Sequence, residues 1–354
     1  MNLEKLTQIL APEAKYRYSQ VNKAVFQDFI ATWDQVSNLP KNLREKLTLD
    51  CPLEIKAEII KDKTSTTSLK ALITLEDGET VETVLIRQRK KTVDPTNGGS
   101  DFRYTVCVSS QVGCSLGCVF CATGERGFTR NLNAAEIVEQ VILWARYLKA
   151  EKGGAKIDNL VFMGMGEPFL NYDQFIKAVK FINNPETLNI GSRRMSVSTA
   201  GLVEGIKRLA GEKLQINLAI SLHAAKDEQR AGLMPIAKKY SLFEILKAVD
   251  HYIIKTGRRV MFEYLMLKNI NDSDADALAL AKLLQRPLYL VNLIPYNPTG
   301  RFEPSSRERI ARFKEILESN GVPATIRLSF GSAIGAACGQ LKGRPKNRSL
   351  NKNL

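Results

Sequence analysis

Between residues 53 and 89 apolar and polar positions alternate, in LEIKAEII, SLKALITLED and ETVETVLIRQ, and Asp77-Gly78 separates the second run from the third. Alternation predicts half-buried strands and an Asp-Gly pair predicts a tight hairpin turn, so a short antiparallel sheet is expected. Upstream, residues 2–50 follow the three-to-four spacing of one helix face, with Val25, Phe26, Phe29, Ile30 and Trp33 on the apolar side. That predicts a small helical module. Downstream, DPTNGGSD (Asp94 to Asp101) is a run of turn formers and predicts a linker.

Beyond the linker the pattern changes again. Seven strand-like apolar runs, YTVCVSS, IDNLVFMG, RMSVSTAG, LQINLAISLH, RVMFEYLML, LYLVNLIPY and ATIRLSF, alternate with amphipathic helical stretches. One helix, AAEIVEQVILWARYLKA, has Asn133 at its start and Gly153-Gly154 beyond its end; another, LFEILKAVDHYIIKT, opens on a capping box of Ser241 and Glu244. Continuous apolar strands joined by helices predict a parallel sheet covered by helices, and about six strand-helix units suit a partial barrel. The expected fold class is α/β, a partial (βα)6 barrel over residues 101–341. Before it would come a helical module (1–50) and a small antiparallel β module with linker (51–100), and after it a basic, disordered tail (342–354).

Composition adds charge to this picture. With 51 Lys and Arg against 37 Asp and Glu, the 354-residue chain carries +14, which predicts a polyanionic partner, RNA or DNA. The charge is clustered at Arg87, Arg89, Lys90 and Lys91, and again at Lys342, Arg344, Lys346, Arg348 and Lys352. No apolar run approaches the roughly 20 residues of a membrane span, and MNLEKLTQIL lacks the pattern of a secretory signal, so no membrane association and a cytoplasmic location are expected.

Three of the six cysteines stand as Cys114-x-x-x-Cys118-x-x-Cys121. Three thiolates in one loop leave a coordination position of a 4Fe-4S cluster open to another ligand. A zinc site would want a further pair of ligands, yet the only histidines, His223 and His251, are more than a hundred residues away. The spacing resembles that of the radical S-adenosylmethionine (SAM) enzymes. Several expected strand ends carry groups suited to a ligand. Gly166 and Glu167 form a glycine-rich turn with a carboxylate, Ser198, Ser221, Leu222, His223 and Asn297 occupy equivalent ends, and the less favoured reading of Glu167 is a plain loop-starting acid. Cys107 and Cys338 lie outside the triplet, and Cys51 reads as structural.

The ordered set CVSSQVGCSLGCVFCATGERGFTRNL, GMGEP, VSTAG, SLHA, NLIPYNP and AACGQL resembles the dual-specificity adenine carbon-2 RNA methyltransferases, over roughly residues 80–343. The resemblance implies a radical SAM barrel that methylates adenosine in 23S rRNA, at the peptidyl-transferase region, and in the anticodon loop of tRNA. Its cofactors would be a 4Fe-4S cluster on Cys114, Cys118 and Cys121 and SAM on Gly166, Glu167, Ser198, Ser221, Leu222, His223 and Asn297. It further implies that Cys338 carries the methyl group, that Cys107 resolves the resulting RNA adduct by forming a disulfide and that Glu82 is the general base. A reductant such as flavodoxin or ferredoxin and a monomeric state complete the expectation. Pro168 of GMGEP favours this branch over the related carbon-8 methyltransferases, and a radical SAM enzyme on a non-RNA substrate is disfavoured by the +14 charge. Ala333 stands where the family usually has an acid, before AACGQL.

Overall fold

The computed structural model describes residues 3–62, 67–90 and 101–344. Most of the expected linker, Lys91 and the tail beyond Arg344 lie outside that range. The N-terminal part holds α1 (Leu3–Leu10), α2 (Lys15–Asn22) and α3 (Lys41–Asp50). The expected single face from Val25 to Trp33 is interrupted, because α2 runs into a π-turn over Lys23–Gln27 and Phe29 then takes a φ of 52°. Trp33 sits instead in a separate 3-10 turn, buried, with its indole N–H donating to the Cys51 carbonyl at 2.8 Å.

The strands β1 (Ala57–Lys61), β2 (Ser68–Thr74), β3 (Thr80–Arg89) and β4 (Phe102–Cys107) pair antiparallel in sequence. A short hairpin, β5 (Gln111–Gly113) and β6 (Phe128–Asn131), then brackets the cysteine loop and its single-turn helix α4 (Ala122–Arg126). From β4 the chain climbs through α5 (Ala134–Glu151), β7 (Asn159–Phe162), α6 (Tyr172–Asn183), β8 (Met195–Thr199), α7 (Val203–Gly211) and β9 (Asn217–Ser221). It continues through α8 (Asp227–Leu233), α9 (Leu242–Thr256), β10 (Val260–Met266), α10 (Asp274–Leu284), β11 (Tyr289–Pro295), α11 (Arg307–Ser319) and β12 (Ala324–Ile326).

Strands β4 and β7 to β12 are mutually parallel and follow each other in space as in sequence, the order of a partial barrel. The antiparallel strands extend this same sheet, in the order β1-β2-β3-β4-β7-β8-β9-β10-β11-β12. Apolar helix faces close over it. Helix α5 buries Ile137, Val138, Val141, Ile142, Trp144 and Leu148, each stabilising by roughly 1.5–3 kcal/mol. Its Trp144 indole donates to Thr83 Oγ1 at 3.1 Å, and that hydroxyl donates to the Cys107 carbonyl at 2.7 Å. The end of β4 is thereby fixed against the helix layer.

Candidate active site

The parallel strands end together, and their C-terminal ends enclose a cavity of about 550 Å³. That size is ordinary for a cofactor-sized ligand. On its wall lie Cys107, Cys114, Cys118, Cys121 and Cys338, five of the chain's six cysteines, with Gly166, Glu167, Ser198, Ser221 and His223. The sequence-predicted set is therefore largely brought together, with three exceptions. Leu222 turns its side chain into the core, where it is fully buried, and presents only backbone near the site. Asn297 lies behind the wall, its Nδ2 donating to the Cys338 carbonyl at 3.3 Å, so it holds the Cys338 loop. Glu82 also stands behind the wall.

The position of Glu82 follows from strand register. Lys70 of β2 pairs with Val84 of β3, and Val84 pairs with Cys107 of β4, so Lys70, Val84, Cys107 and, two residues along β3, Glu82 share one sheet face. The Glu82 carboxylate, nearly buried, pairs with Lys70 Nζ at 3.0 Å and accepts from the Lys342 backbone N–H at 2.8 Å. Lys342 belongs to a strap that crosses β3. Arg344 N donates to Thr80 Oγ1 at 2.8 Å, and Arg344 pairs with Glu58 at 3.0 Å. These first residues of the expected tail are pinned to the sheet.

Local geometry shows why the strand ends carry these residue types. Gly166 has a φ of 96°, and a Cβ there would stand 2.5 Å from Gln111 Cβ, so only glycine fits. The buried Glu167 carboxylate accepts from Phe169 N at 3.0 Å and Ala200 N at 2.8 Å, and burial pushes it up to about 7 against those bonds. It caps the turn that follows, as the plain reading of the acid expected. His223 has a φ of 61°; its Nδ1 accepts from Leu265 N at 3.1 Å, and burial, with Arg230 nearby, holds the imidazole down to about 3. It is a neutral ring, set edge-on to Phe120.

The cysteine loop is fixed by backbone bonds on both sides: Cys114 N donates to Gly127 O at 2.9 Å, Val119 N to Leu233 O at 3.1 Å and Ala122 N to Gly339 O at 2.8 Å. The last of these ties it to the Cys338 loop. Burial raises the Cys114 thiol to about 12 and Cys118 further, and the neighbouring thiols of the triplet add to both. Cys107, at 8% exposure, is likewise pushed up to about 12 by burial and by Cys338.

Sequence reading missed two charged residues on this wall, Glu263 and Arg327. Glu263 Oε1 accepts from Arg327 Nη1 at 3.1 Å, while its Oε2 accepts from Ser198 Oγ at 2.7 Å, and Ser198 in turn meets Ser221 Oγ at 3.1 Å. The available signal was a lone carboxylate inside the apolar run RVMFEYLML and a lone guanidinium inside ATIRLSF. A buried charge on an inward strand position needs a partner, and here each supplies the other's.

Residues 108–281 match the radical SAM superfamily. A probable dual-specificity RNA methyltransferase RlmN of Symbiobacterium thermophilum is 42% identical over 99% of this chain and 92% of its own length. The chain belongs to the RlmN family of radical SAM RNA methyltransferases. A ribosomal RNA large subunit methyltransferase N of Nitrosopumilus maritimus is 44% identical over 93% of this chain and 92% of its own. The crystal structure of a radical SAM methyltransferase from Sphaerobacter thermophilus superposes with a TM-score of 0.88 at 42% identity, covering 97% of this chain and 98% of that one.

The RlmN family's cofactors, a 4Fe-4S cluster and SAM, fit the donor set on the cavity wall. Among the described residues no three His, Cys, Asp or Glu side chains converge as one metal ion needs. A cubane instead takes each thiolate on a different iron, which suits three thiols spread along one loop on the cavity wall. Beside them the Glu167 carboxylate and the Ser198 and Ser221 hydroxyls offer acceptors for an ammonium and a ribose. No helix among the described residues is long and apolar enough to cross a membrane.

Proposed function

We propose that this protein methylates carbon 2 of adenosine in 23S rRNA and in tRNA, through an S-methyl group carried on Cys338. The observation that carries the reading is the pair of free thiols, Cys107 and Cys338, on the wall of the same cavity as the Cys114, Cys118, Cys121 triplet. Cys114, Cys118 and Cys121 hold the cluster, and Gly166, Glu167, Ser198, Ser221 and the backbone at Leu222 and His223 cradle SAM, with Asn297 fixing the loop above it. Bound there, the two cofactors supply a methyl group and a 5′-deoxyadenosyl radical, radical chemistry being needed because carbon 2, between two ring nitrogens, is too electron-poor to attack a methyl group itself.

The chain's own residues do the rest. Cys338 Sγ presents the methyl carbon to the base; Cys107, as a thiolate, then attacks Cys338 Sγ, so the disulfide forms as the sulfur–carbon bond breaks with its electron pair to the product carbon, which takes up a proton to become the methyl group. Glu82 takes the carbon-2 proton on Oε2, once the bond from Lys342 N opens, while Lys70 stays on Oε1. Burial of the cavity wall keeps water from the reacting carbon. The exposed Arg89 and the half-buried Lys90, at the end of β3, attract the RNA backbone, and the target adenosine leaves its stack to enter the cavity. The reading includes flavodoxin or ferredoxin as electron donor, a monomer, and residence in the cytoplasm.

Two variants test it. Cys338→Ala should give neither methylated RNA nor a covalent adduct, whereas Cys107→Ala should accumulate protein joined to labelled RNA on a denaturing gel. Mass spectrometry of RNA digests should find 2-methyladenosine. Normal turnover by Cys107→Ala, or 8-methyladenosine as the product, would overturn the proposal.

A further inference from the structure

Among the described residues, Arg327 is the only lysine or arginine on the cavity wall. Its backbone N–H donates to Leu293 O at 2.8 Å, which extends the β11–β12 pairing and sets the side chain at the strand end. Its Nη1 donates to Glu263 Oε1 at 3.1 Å and stands 3.5 Å from Met163 Sδ. Met163 is also the residue whose backbone hydrogen-bonds the Cys107 thiol, so one residue bridges the guanidinium and that sulfur. The largest influence on Arg327 is the charge of Cys338, ahead of Glu263 and Cys107. At Cys107 the attraction of Arg327 outweighs the repulsion of Glu263. A lone cation therefore shares one cavity wall with both sulfurs, and burial opposes ionising Cys107.

We propose that Arg327 is a positioning residue that supplies the positive charge against which the Cys338 sulfur ionises to accept its methyl group, with Glu263 as the clamp that aims it. This rests on the reading of Cys338 as the methyl-bearing sulfur. The step it serves is a displacement: the Cys338 thiol proton leaves to solvent and the thiolate forms a sulfur–carbon bond to the sulfonium methyl. The carbon–sulfur bond to the departing thioether breaks with its electron pair, and nothing is oxidised or reduced. A neutral thiol is a poor nucleophile, so in an apolar cavity the rate follows the fraction of thiolate. Guanidinium suits the task because it stays charged when desolvated, and its five N–H donors outnumber what the bond to the Glu263 carboxylate uses.

The test needs neither RNA nor SAM. Cluster-loaded full-length protein is treated anaerobically with iodoacetamide across pH 6 to 10, and alkylation of the unmethylated Cys338 peptide is followed by mass spectrometry. Arg327→Met should slow alkylation at pH 7 by about tenfold or more and move its pH midpoint upward. Arg327→Lys, which keeps the charge, should recover most of the rate. Glu263→Gln removes a competing negative charge while its amide oxygen still accepts from Arg327 and keeps it aimed, so it should move the midpoint the opposite way, downward. Loosened structure would instead shift both charge variants in the same direction. An unchanged midpoint in Arg327→Met, or shifts of one sign in Arg327→Met and Glu263→Gln, overturns the proposal. Should Arg327→Met fail to fold, the Glu263→Gln shift decides alone, and no downward shift there is equally fatal. A failure here leaves RNA methylation by Cys338 standing. Absence of methylated RNA with the expected thiol profiles would instead sink the proposed function and leave this charge effect intact.

Discussion

Replacing Lys70 by Met removes one half of an ion pair whose side chains are only 11% and 7% exposed. Breaking such a pair from one side costs about 3–5 kcal/mol, because the remaining charge is buried without its counterion. The lower end applies, since Glu82 keeps the bond from Lys342 N at 2.8 Å. Lys70 Nζ also donates to the Gly335 carbonyl at 3.3 Å, a bond worth about 1 kcal/mol net, so the total loss should be about 4 kcal/mol. That loss is local to β2, β3 and the strap, and hydrogen exchange of those amides is the assay, because a chain of this size does not unfold as one unit. The double variant Lys70→Met/Glu82→Gln decides the cause. With the charge gone as well, most of the loss should return, leaving about 1 kcal/mol. If the double variant were as unstable as the sum of the singles, the pair would not be the source of the effect and the reasoning would be wrong.

Two further outcomes follow from buried groups at the strand ends. Arg230, with no exposed surface, donates to the carbonyls of Leu222 at 3.1 Å, Ala200 at 2.6 Å and Ser221 at 3.3 Å. Arg230→Met should therefore lower stability by about 4 kcal/mol or more in a thermal shift, with Lys a poor substitute for the fork; an unchanged melting temperature would refute this. The imidazole of His223 is held down to about 3 from an ordinary 6.5, so its contribution is complete above pH 6.5 and is lost as pH falls toward 3. His223→Asn, which tolerates the positive φ, should lack a wild-type loss of up to about 1.4 kcal/mol per pH unit below 6.5, measured by melting temperature against pH.

The parallel strands were legible in the sequence because each is an uninterrupted apolar run, and all seven runs became β4 and β7 to β12. The hairpin of β5 and β6 was not, since strands of three and four residues leave no period to detect. The sequence likewise predicts the antiparallel strands but not that they continue the barrel sheet. Alternation along β3 shows which face is buried and says nothing of which strand lies beside it. The helix from Val25 onward misled for a local reason, because spacing is blind to the positive φ of Phe29 that ends it. At the site, the cysteines and the glycine turn were readable as motifs. Leu222 and Asn297 were placed correctly along the chain, but their side chains point into the core and to the Cys338 loop. Glu263 and Arg327 went unnoticed because an apolar run hides a single charge from a reading that counts hydrophobic positions.

Of the bonds that hold the loop bearing Cys338, three come from different parts of the site. Lys70, which pairs with Glu82, bonds the Gly335 carbonyl; Asn297 at the end of β11 bonds the Cys338 carbonyl; Ala122 of the cysteine loop bonds the Gly339 carbonyl. Ala333, exposed in the turn between Gly331 and Gly335, makes none of these bonds, so the missing family acid leaves the three ties intact. At about 0.5–1.5 kcal/mol net for each bond, these three contribute about 1.5–4.5 kcal/mol together, beside the bonds that Gln340 Nε2 donates to the Pro298 carbonyl and Thr123 Oγ1 to the Leu341 carbonyl. Strand β2 and the cysteine loop thus each hold one of the ties, through bonds to backbone carbonyls that a side-chain substitution at Ala333 does not touch.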